Sequence, residues 1–314
     1  MVTGASGFVG SALTARLVQV GYQVVGVARH MGDSNVAHTS IETDLSSPNP
    51  FPGGFAEVDC IVHLAGRAHV LGGSTESQLA AFRRANRDAT IRLARAALLS
   101  GVKRFVFVSS IGVNGSSTTD NPFREISPTA PRADYAVSKW EAEVELKVLL
   151  GGTSMELVIV RPPLIYAADA PGNFRRLLKL VDSGVPLPLK SVGNLRNVIS
   201  RENVVDFLEL CVCHPAAAGE LFLIADAQAV STPEMVRAIS SGLGRPARLF
   251  PFPLACLRVA FCALGRGGIY EQLCGSLQID ISKARNVLGW VPHGTTIDGL
   301  QKAGREYRCF VNHV

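Results

Sequence analysis

Near-continuous apolar stretches alternate with amphipathic ones through the first half of the chain. Val2-Thr3 reads as a short strand, followed by a glycine-rich turn and a helix through Val20. Gln23 to Ala28 is uncharged and β-branched and predicts a second strand; Asp59 to Leu64, Arg104 to Ser109 and Glu156 to Val160 predict further ones. Helical spacing runs from about Thr75 to Leu99 and from Tyr135 to Leu150, each stopped by glycine just beyond. Strands without polar alternation are buried on both faces. The pattern therefore predicts an α/β fold, a doubly wound parallel sheet covered by helices.

After Arg161-Pro162-Pro163 the alternation weakens. Val185 to Leu189 reads as loop or edge strand, and helical stretches return at Thr232 to Gly242 and Phe252 to Leu264. A smaller mixed α/β lobe is expected there, discontinuous in sequence. The first domain takes residues 1–165 and 195–228, and the second takes 166–194 and 229–314. Phe250 to Leu264, the most apolar late stretch, is too short to span a bilayer, which needs about 20 apolar residues. It is expected to be a buried helix, with a membrane-surface position as the alternative. The opening strand leaves two readings: a short strand, or a start upstream of Met1.

Composition narrows the class. At 314 residues, 47% hydrophobic and 18% charged, the chain can fill a core and is not disordered. Its net charge of +5 comes without a Lys/Arg run, which gives no footprint for nucleic acid. Seven cysteines, an odd number with no CxxC pair, predict reduced and mostly buried thiols and no metal site. The first residues lack a signal-peptide pattern, so the expected location is cytoplasmic.

Two constellations carry chemistry. Gly4, Gly7 and Gly10 form a GxxGxxG turn, with Phe8 and Val9 inside it, between a strand and a helix. Such glycines let backbone approach a pyrophosphate, and the helix N-terminus supplies free N–H groups. An ordinary glycine-rich βα turn is the bland alternative, and the following βαβ pattern weighs against it. The second strand ends Val27-Ala28-Arg29-His30, with no acid for a ribose 2′-hydroxyl; Arg29 suits a 2′-phosphate. NADP(H) is favoured on that basis, with NAD(H) possible. The second constellation is Tyr135 and Lys139, four apart and so on one helix face. A neighbouring ammonium would bring a phenol of pKa about 10 toward useful acid–base range. A hydroxyl from Ser109 or Ser110, at the end of a strand, would hold the reacting oxygen.

Together these residues resemble the extended short-chain dehydrogenase/reductases, and within them the nucleotide-sugar epimerase/dehydratase group. The resemblance runs from TGASGFVG (Thr3 to Gly10) through Asp44-Leu45, His63-Leu64-Ala65-Gly66, Asn86, Val108-Ser109-Ser110, YAVSK and Arg161-Pro162-Pro163 to the Asp280 to Trp290 stretch. It implies that Asp44 and Leu45 meet the adenine and that Leu64, Ala65, Gly66 and Pro162 line the cofactor. It also selects Ser110 over Ser109. LAGRAHV (Leu64 to Val70), SSIGVNG, GNFRRLLKLV and GSLQIDISKAR are similar to one bacterial branch, the 4-reductases of UDP-4-keto-6-deoxy-N-acetylglucosamine used in surface polysaccharides. That likeness implies that Asn173 and Arg196 face the nucleotide diphosphate and that the protein is a homodimer through the Thr75–Leu99 and Tyr135 helices.

Departures are visible. Ala167-Ala168 stands where Gly-Pro is usual, Gly268-Ile269-Tyr270 where a phosphate-binding Arg is common (Arg266 is nearby), and Asn197 where an Asp is often seen. The expected activity is reduction of a C4 ketone on a UDP-linked sugar. The alternatives are a UDP-sugar 4-epimerase that retains NAD, and a dinucleotide-binding protein without turnover. A 4,6-dehydratase fits less well, because Ile111-Gly112-Val113 follows Ser110 in place of an acid pair.

Overall fold

The computed structural model describes residues 1–32, 35–47, 50–51, 55, 57–68 and 77–312. The described elements are β1 (Val2–Thr3), α1 (Gly10–Gln19), β2 (Val25–Ala28), β3 (Thr39–Glu42), β4 (Cys60–His63), α2 (Gln78–Phe82), α3 (Ala89–Leu99), β5 (Arg104–Val108), α4 (Asp134–Leu150), β6 (Glu156–Arg161) and β7 (Ile165–Tyr166). They continue with α5 (Gly172–Asp182), β8 (Ile199–Ser200), α6 (Arg201–Cys213), β9 (Leu221–Leu223), α7 (Thr232–Gly242), α8 (Leu254–Ala263), α9 (Gly267–Cys274), α10 (Ser282–Leu288) and α11 (Thr296–Asn312).

Seven strands form one sheet in the order β3-β2-β1-β4-β5-β6-β9, every pair parallel. This is the doubly wound α/β architecture that the apolar strands imply. Every residue of β5 is buried, as expected for a central strand covered on both faces. One face carries Leu13 and Leu17 of α1 with Phe207 and Leu208 of α6. The other carries Leu93 and Ala97 of α3 with Ala142 and Leu146 of α4. Strand order reverses between β1 and β4, and a ligand crevice forms at the carboxyl ends of such a pair.

A second core joins Tyr166, Phe174, Leu178, Val236, Ile239, Leu300 and Tyr307. Helices α7 and α11 meet there almost backbone to backbone. A Cβ on Gly242 would stand 2.1 Å from the Gln301 carbonyl oxygen, and one on Gly304 would stand 2.5 Å from that of Ile239. Glycine is required at both crossings.

Several expectations change. The 75–99 helix is interrupted: a wide π turn over Arg83–Asp88 separates α2 from α3, and residues 75 and 76 lie outside the described set. The 229–314 stretch divides. Ala284, Leu288 and Trp290 pack with Phe207 and Phe222 against the sheet, while α7 and α11 build the second core. Helix α8 is not buried, because only Leu257 among its residues is enclosed. It lies on the outside of the second core, which is already filled by α5, α7 and α11. The cysteines are free, as expected, but only Cys211 is buried; Cys60 and Cys274 are half-buried, and Cys213, Cys256, Cys262 and Cys309 are exposed. Cys256 and Cys262 lie on the outer side of α8, and Cys213 at the end of α6, away from the packed faces.

Candidate active site

The glycine turn has a geometry that other residues would obstruct. Gly4 has φ +70°, and a Cβ there would meet the Ala65 amide nitrogen at 2.9 Å. A Cβ on Gly10 would fall 2.0 Å from the Gly4 carbonyl oxygen. Val9 precedes helix α1 as a cap without a side-chain hydrogen bond, and the Ser11 amide donates to the Gly7 carbonyl at 2.9 Å, so the N–H groups ahead of Ser11 are those left for an outside acceptor. These features fit a dinucleotide pyrophosphate. The Phe8 ring sits 5.0 Å from the Arg201 guanidinium and packs on the second core, so Phe8 offers the turn only its backbone. Val9 packs into the first core.

A buried polar chain holds this turn from below. The Thr90 hydroxyl donates to the Asn86 carbonyl at 2.7 Å and so accepts from His63 Nε2 at 2.9 Å. His63 Nδ1 is then the acceptor for the Thr3 hydroxyl at 2.7 Å, and Thr3 Oγ1 accepts from the Ala65 amide at 3.3 Å. His63 is neutral: burial pushes its pKa down to about 3, with Lys139 adding to the effect. Asn86 lies in the π turn. Its amide donates to the Arg67 carbonyl and the Ser138 hydroxyl, both at 3.0 Å, and its oxygen accepts from the Arg67 amide at 2.7 Å. Ala65 and Gly66 are therefore held between strand and helix, and Leu64 packs on the first core.

At the end of β2, Arg29 is exposed, and its charge helps to lower the pKa of Asp44. The larger cause is the Ser46 hydroxyl and amide, which donate to Asp44 Oδ1 at 2.7 and 2.8 Å. Leu45 packs into the core on the α3 side. Parallel pairing sets Glu42 beside Ala28, and Glu42 Oε1 accepts the Met31 amide at 2.7 Å. An acid thus reaches the end of β2 from the neighbouring strand. Reading β2 alone could not find it.

Tyr135 and Lys139 sit in the first turns of α4. Lys139 is buried, donates to the Val108 carbonyl at 2.9 Å and lies 4.6 Å from the centre of the Phe107 ring. A Cβ on Gly66 would stand 3.4 Å from its Nζ, which puts the ammonium on the floor formed by Leu64 to Gly66. Burial lowers its pKa to about 8, against an opposing pull from Glu143. Tyr135 is half-buried, and burial pushes its phenol up to about 12, the reverse of the lowering expected from a neighbouring ammonium.

The two serines separate. Ser109 Oγ is buried and donates to Glu143 Oε1 at 2.5 Å. Ser110 is half-buried and its Oγ accepts the Gly112 amide at 3.1 Å, which leaves its own O–H to donate. Gly112 brings Ser110 up to α4, since a Cβ there would be 3.2 Å from Ala136 Cβ and 3.4 Å from Ser110 Oγ. Pro162 is buried below, its carbonyl accepting from Ile111 at 3.0 Å.

Glu143 escaped the sequence reading. It pairs with buried Arg161 through Nε at 2.9 Å and Nη2 at 2.5 Å, and Arg161 Nη1 donates to Asn114 Oδ1 at 2.8 Å. Its signal was the 135/139/143 spacing, one acid continuing the stripe of Tyr and Lys.

Asn173 and Arg196 meet the same helix, α9. Asn173 donates to Gln272 Oε1 at 3.0 Å, and Arg196 Nη1 donates to the Gly275 carbonyl at 2.7 Å. The loop after Ser110 reaches the same place: the Thr118 amide donates to the Ser276 carbonyl at 2.8 Å. A cavity of about 340 Å³ lies apart from these groups, among Tyr166, Ser200, Asn203, His293 and Lys302. His69 and Val70 lie outside the described residues.

Residues 1–225 match the model of the NAD dependent epimerase/dehydratase family. The chain belongs to that family. This epimerase/dehydratase-family protein is 37% identical over 310 residues to the UDP-glucose 4-epimerase of Vibrio cholerae, covering 98% of this chain and 94% of that one. It is 25% identical to the N-acetyl-alpha-D-glucosaminyl-diphospho-ditrans,octacis-undecaprenol 4-epimerase of Escherichia coli O157:H7, over 96% and 93% of the two chains. Among solved structures, MoeE5 in complex with UDP-glucose and NAD superposes with a TM-score of 0.76 at 25% identity, over 99% and 98%. The family protein is thus a nucleotide-sugar epimerase/dehydratase-type enzyme.

Proposed function

We propose that this protein reduces the C4 ketone of a UDP-linked 4-keto-6-deoxy-hexosamine in surface-polysaccharide synthesis. The observation that carries the reading is a pair of O–H donors on adjacent elements. Ser110 keeps a free donor hydrogen, and the Tyr135 phenol, an acid of pKa about 10 that burial pushes higher still, carries its proton at neutral pH. A ketone oxygen gaining negative charge needs such donors. When bound, the nicotinamide cofactor supplies the hydride. Tyr135 gives its proton to the C4 oxygen, Ser110 holds that oxygen, and Lys139 binds the nicotinamide ribose and stabilises the phenolate that Tyr135 becomes. Gly4 to Gly10 bind the pyrophosphate, Asp44 and Leu45 meet the adenine, and Leu64 to Gly66 with Pro162 line the cofactor. Exposed Arg29 supports NADP(H) as the cofactor. Asn173 of α5 and Arg196 ahead of β8, which meet at α9 and the residue after it, would take the diphosphate of the substrate, with the second core forming the substrate lobe.

The names of the relatives and the position of Glu42 beside Ala28 favour a second reading, a UDP-sugar 4-epimerase that keeps its NAD. One assay separates the two. Purified protein is mixed with UDP-4-keto-6-deoxy-N-acetylglucosamine and NADPH or NADH, and separately with UDP-glucose alone. The reductase reading expects one equivalent of NADPH consumed per sugar. Appearance of UDP-galactose without added cofactor, with no net NAD(P)H loss, sinks it. Binding of NADP(H) with turnover in neither arm would make the protein a dinucleotide binder.

A homodimer through α3 and α4 belongs to the same proposal. Trp140, Val144 and Val148 form an exposed apolar stripe at i, i+4 and i+8 on α4. Free thiols and soluble cofactors support a cytoplasmic place. No helix among the described residues is long and apolar enough to cross a membrane.

A further inference from the structure

Helix α8 is apolar on both sides. Leu254, Leu257 and Phe261 pack inward on the second core. Cys256, Val259, Ala260 and Ala263, spaced i, i+3, i+4 and i+7, are all exposed. Val259 is 68% and the following Leu264 69% exposed, and Phe250 and Ile269 on either flank are exposed as well. Arg258 is the single charged residue of the helix. A surface helix ordinarily turns polar residues outward, so an apolar outer face calls for a second apolar phase.

Charge says which phase. From Met235 to Tyr270 there are five arginines and no Asp, Glu or Lys. The whole chain has 31 basic and 26 acidic residues, so the rest of the molecule balances and its entire net charge of +5 resides in this stretch. Arg245 reaches Asp182 at 3.5 Å. Arg248, Arg258 and Arg266 are exposed and make no ion pair among the described residues. Self-association through this face would set arginine against arginine, because a two-fold contact brings like surface to like.

We propose that α8 and its flanking turns dock on an anionic lipid bilayer, the outer face entering the headgroup–acyl boundary and Arg248, Arg258 and Arg266 meeting lipid phosphates. Apolar residues at the boundary with Arg around them are the composition of an interfacial segment. The inference is independent of the catalytic reading.

Sedimentation with vesicles tests it without turnover. The full chain is incubated with vesicles of phosphatidylcholine, or of phosphatidylcholine with phosphatidylglycerol. Partition into the anionic vesicles should exceed that into neutral ones at least tenfold and fall with salt, since each near-surface arginine contributes roughly fivefold. Val259→Glu with Leu264→Glu should lower it tenfold or more, and Arg248→Glu with Arg258→Glu should remove the preference for anionic lipid. Circular dichroism checks that both variants remain folded, and gel filtration reports their size. Equal weak binding to both vesicle types, unchanged binding of the folded variants, or a shift from dimer to monomer as their only effect each overturns the proposal.

Discussion

His63 gives the structure a built-in acid sensitivity whose size can be worked out. The ring is fully enclosed and spends both nitrogens on hydroxyls, Nδ1 on Thr3 and Nε2 on Thr90. Its pKa falls from 6.5 to about 3 because no water can solvate the imidazolium. Below pH 6.5 the unfolded chain takes up a proton that the folded one refuses. Stability therefore falls as pH drops, by about 1.4 kcal/mol per pH unit, until the folded pKa is reached. Between pH 7.5 and pH 5 the loss is about 2 kcal/mol, a large share of the 5–15 kcal/mol typical of a folded protein. The perturbation is His63→Gln, which keeps a polar side chain and removes the titration. Urea unfolding followed by the fluorescence of Trp140 and Trp290, at pH 7.5 and pH 5, measures the difference. The variant will be less stable at pH 7.5 but should lose about 2 kcal/mol less than the parent on acidification. Parallel losses in the two proteins would refute the reasoning.

Tyr135→Phe should lower ketone reduction by about 10²- to 10⁴-fold while leaving NADPH affinity within a few-fold, as read by steady-state rates and cofactor titration; a fully active variant removes Tyr135 from the chemistry. Glu143→Gln leaves the Arg161 charge buried beside a neutral partner and should cost about 3–5 kcal/mol in urea unfolding, while an unchanged midpoint would show that the pair does not support α4. Gly10→Ala puts a methyl on the Gly4 carbonyl and should abolish dinucleotide binding measured by calorimetry, with wild-type affinity as the contrary result. Val144→Glu with Val148→Glu should turn a dimer into a monomer in analytical ultracentrifugation, and an intact dimer would place the interface elsewhere.

The sheet was legible because β4, β5 and β6 are apolar through their middles without polar alternation, which a strand covered on both faces requires. The glycine turn was legible because its spacing is set by backbone collisions, which leave a mark in sequence. The choice between Ser109 and Ser110 was not legible from the residues themselves. It turns on Glu143, which accepts from Ser109 and which lies 34 residues further along. Glu42 was hidden for a similar reason, since only the parallel register sets it against the end of β2. Helix α8 misled because apolar residues on every side read as burial, whereas the core beside it is already filled by α5, α7 and α11. The π turn at Arg83–Asp88 left no pattern of its own, although Asn86 inside it fixes the floor of the crevice.

The contact of Gly242 and Gly304 across α7 and α11 leaves those helices no room to slide or roll. Together they act as a strut across the second core. A pair of missing methyl groups thus sets the distance between the two helices that carry the second core.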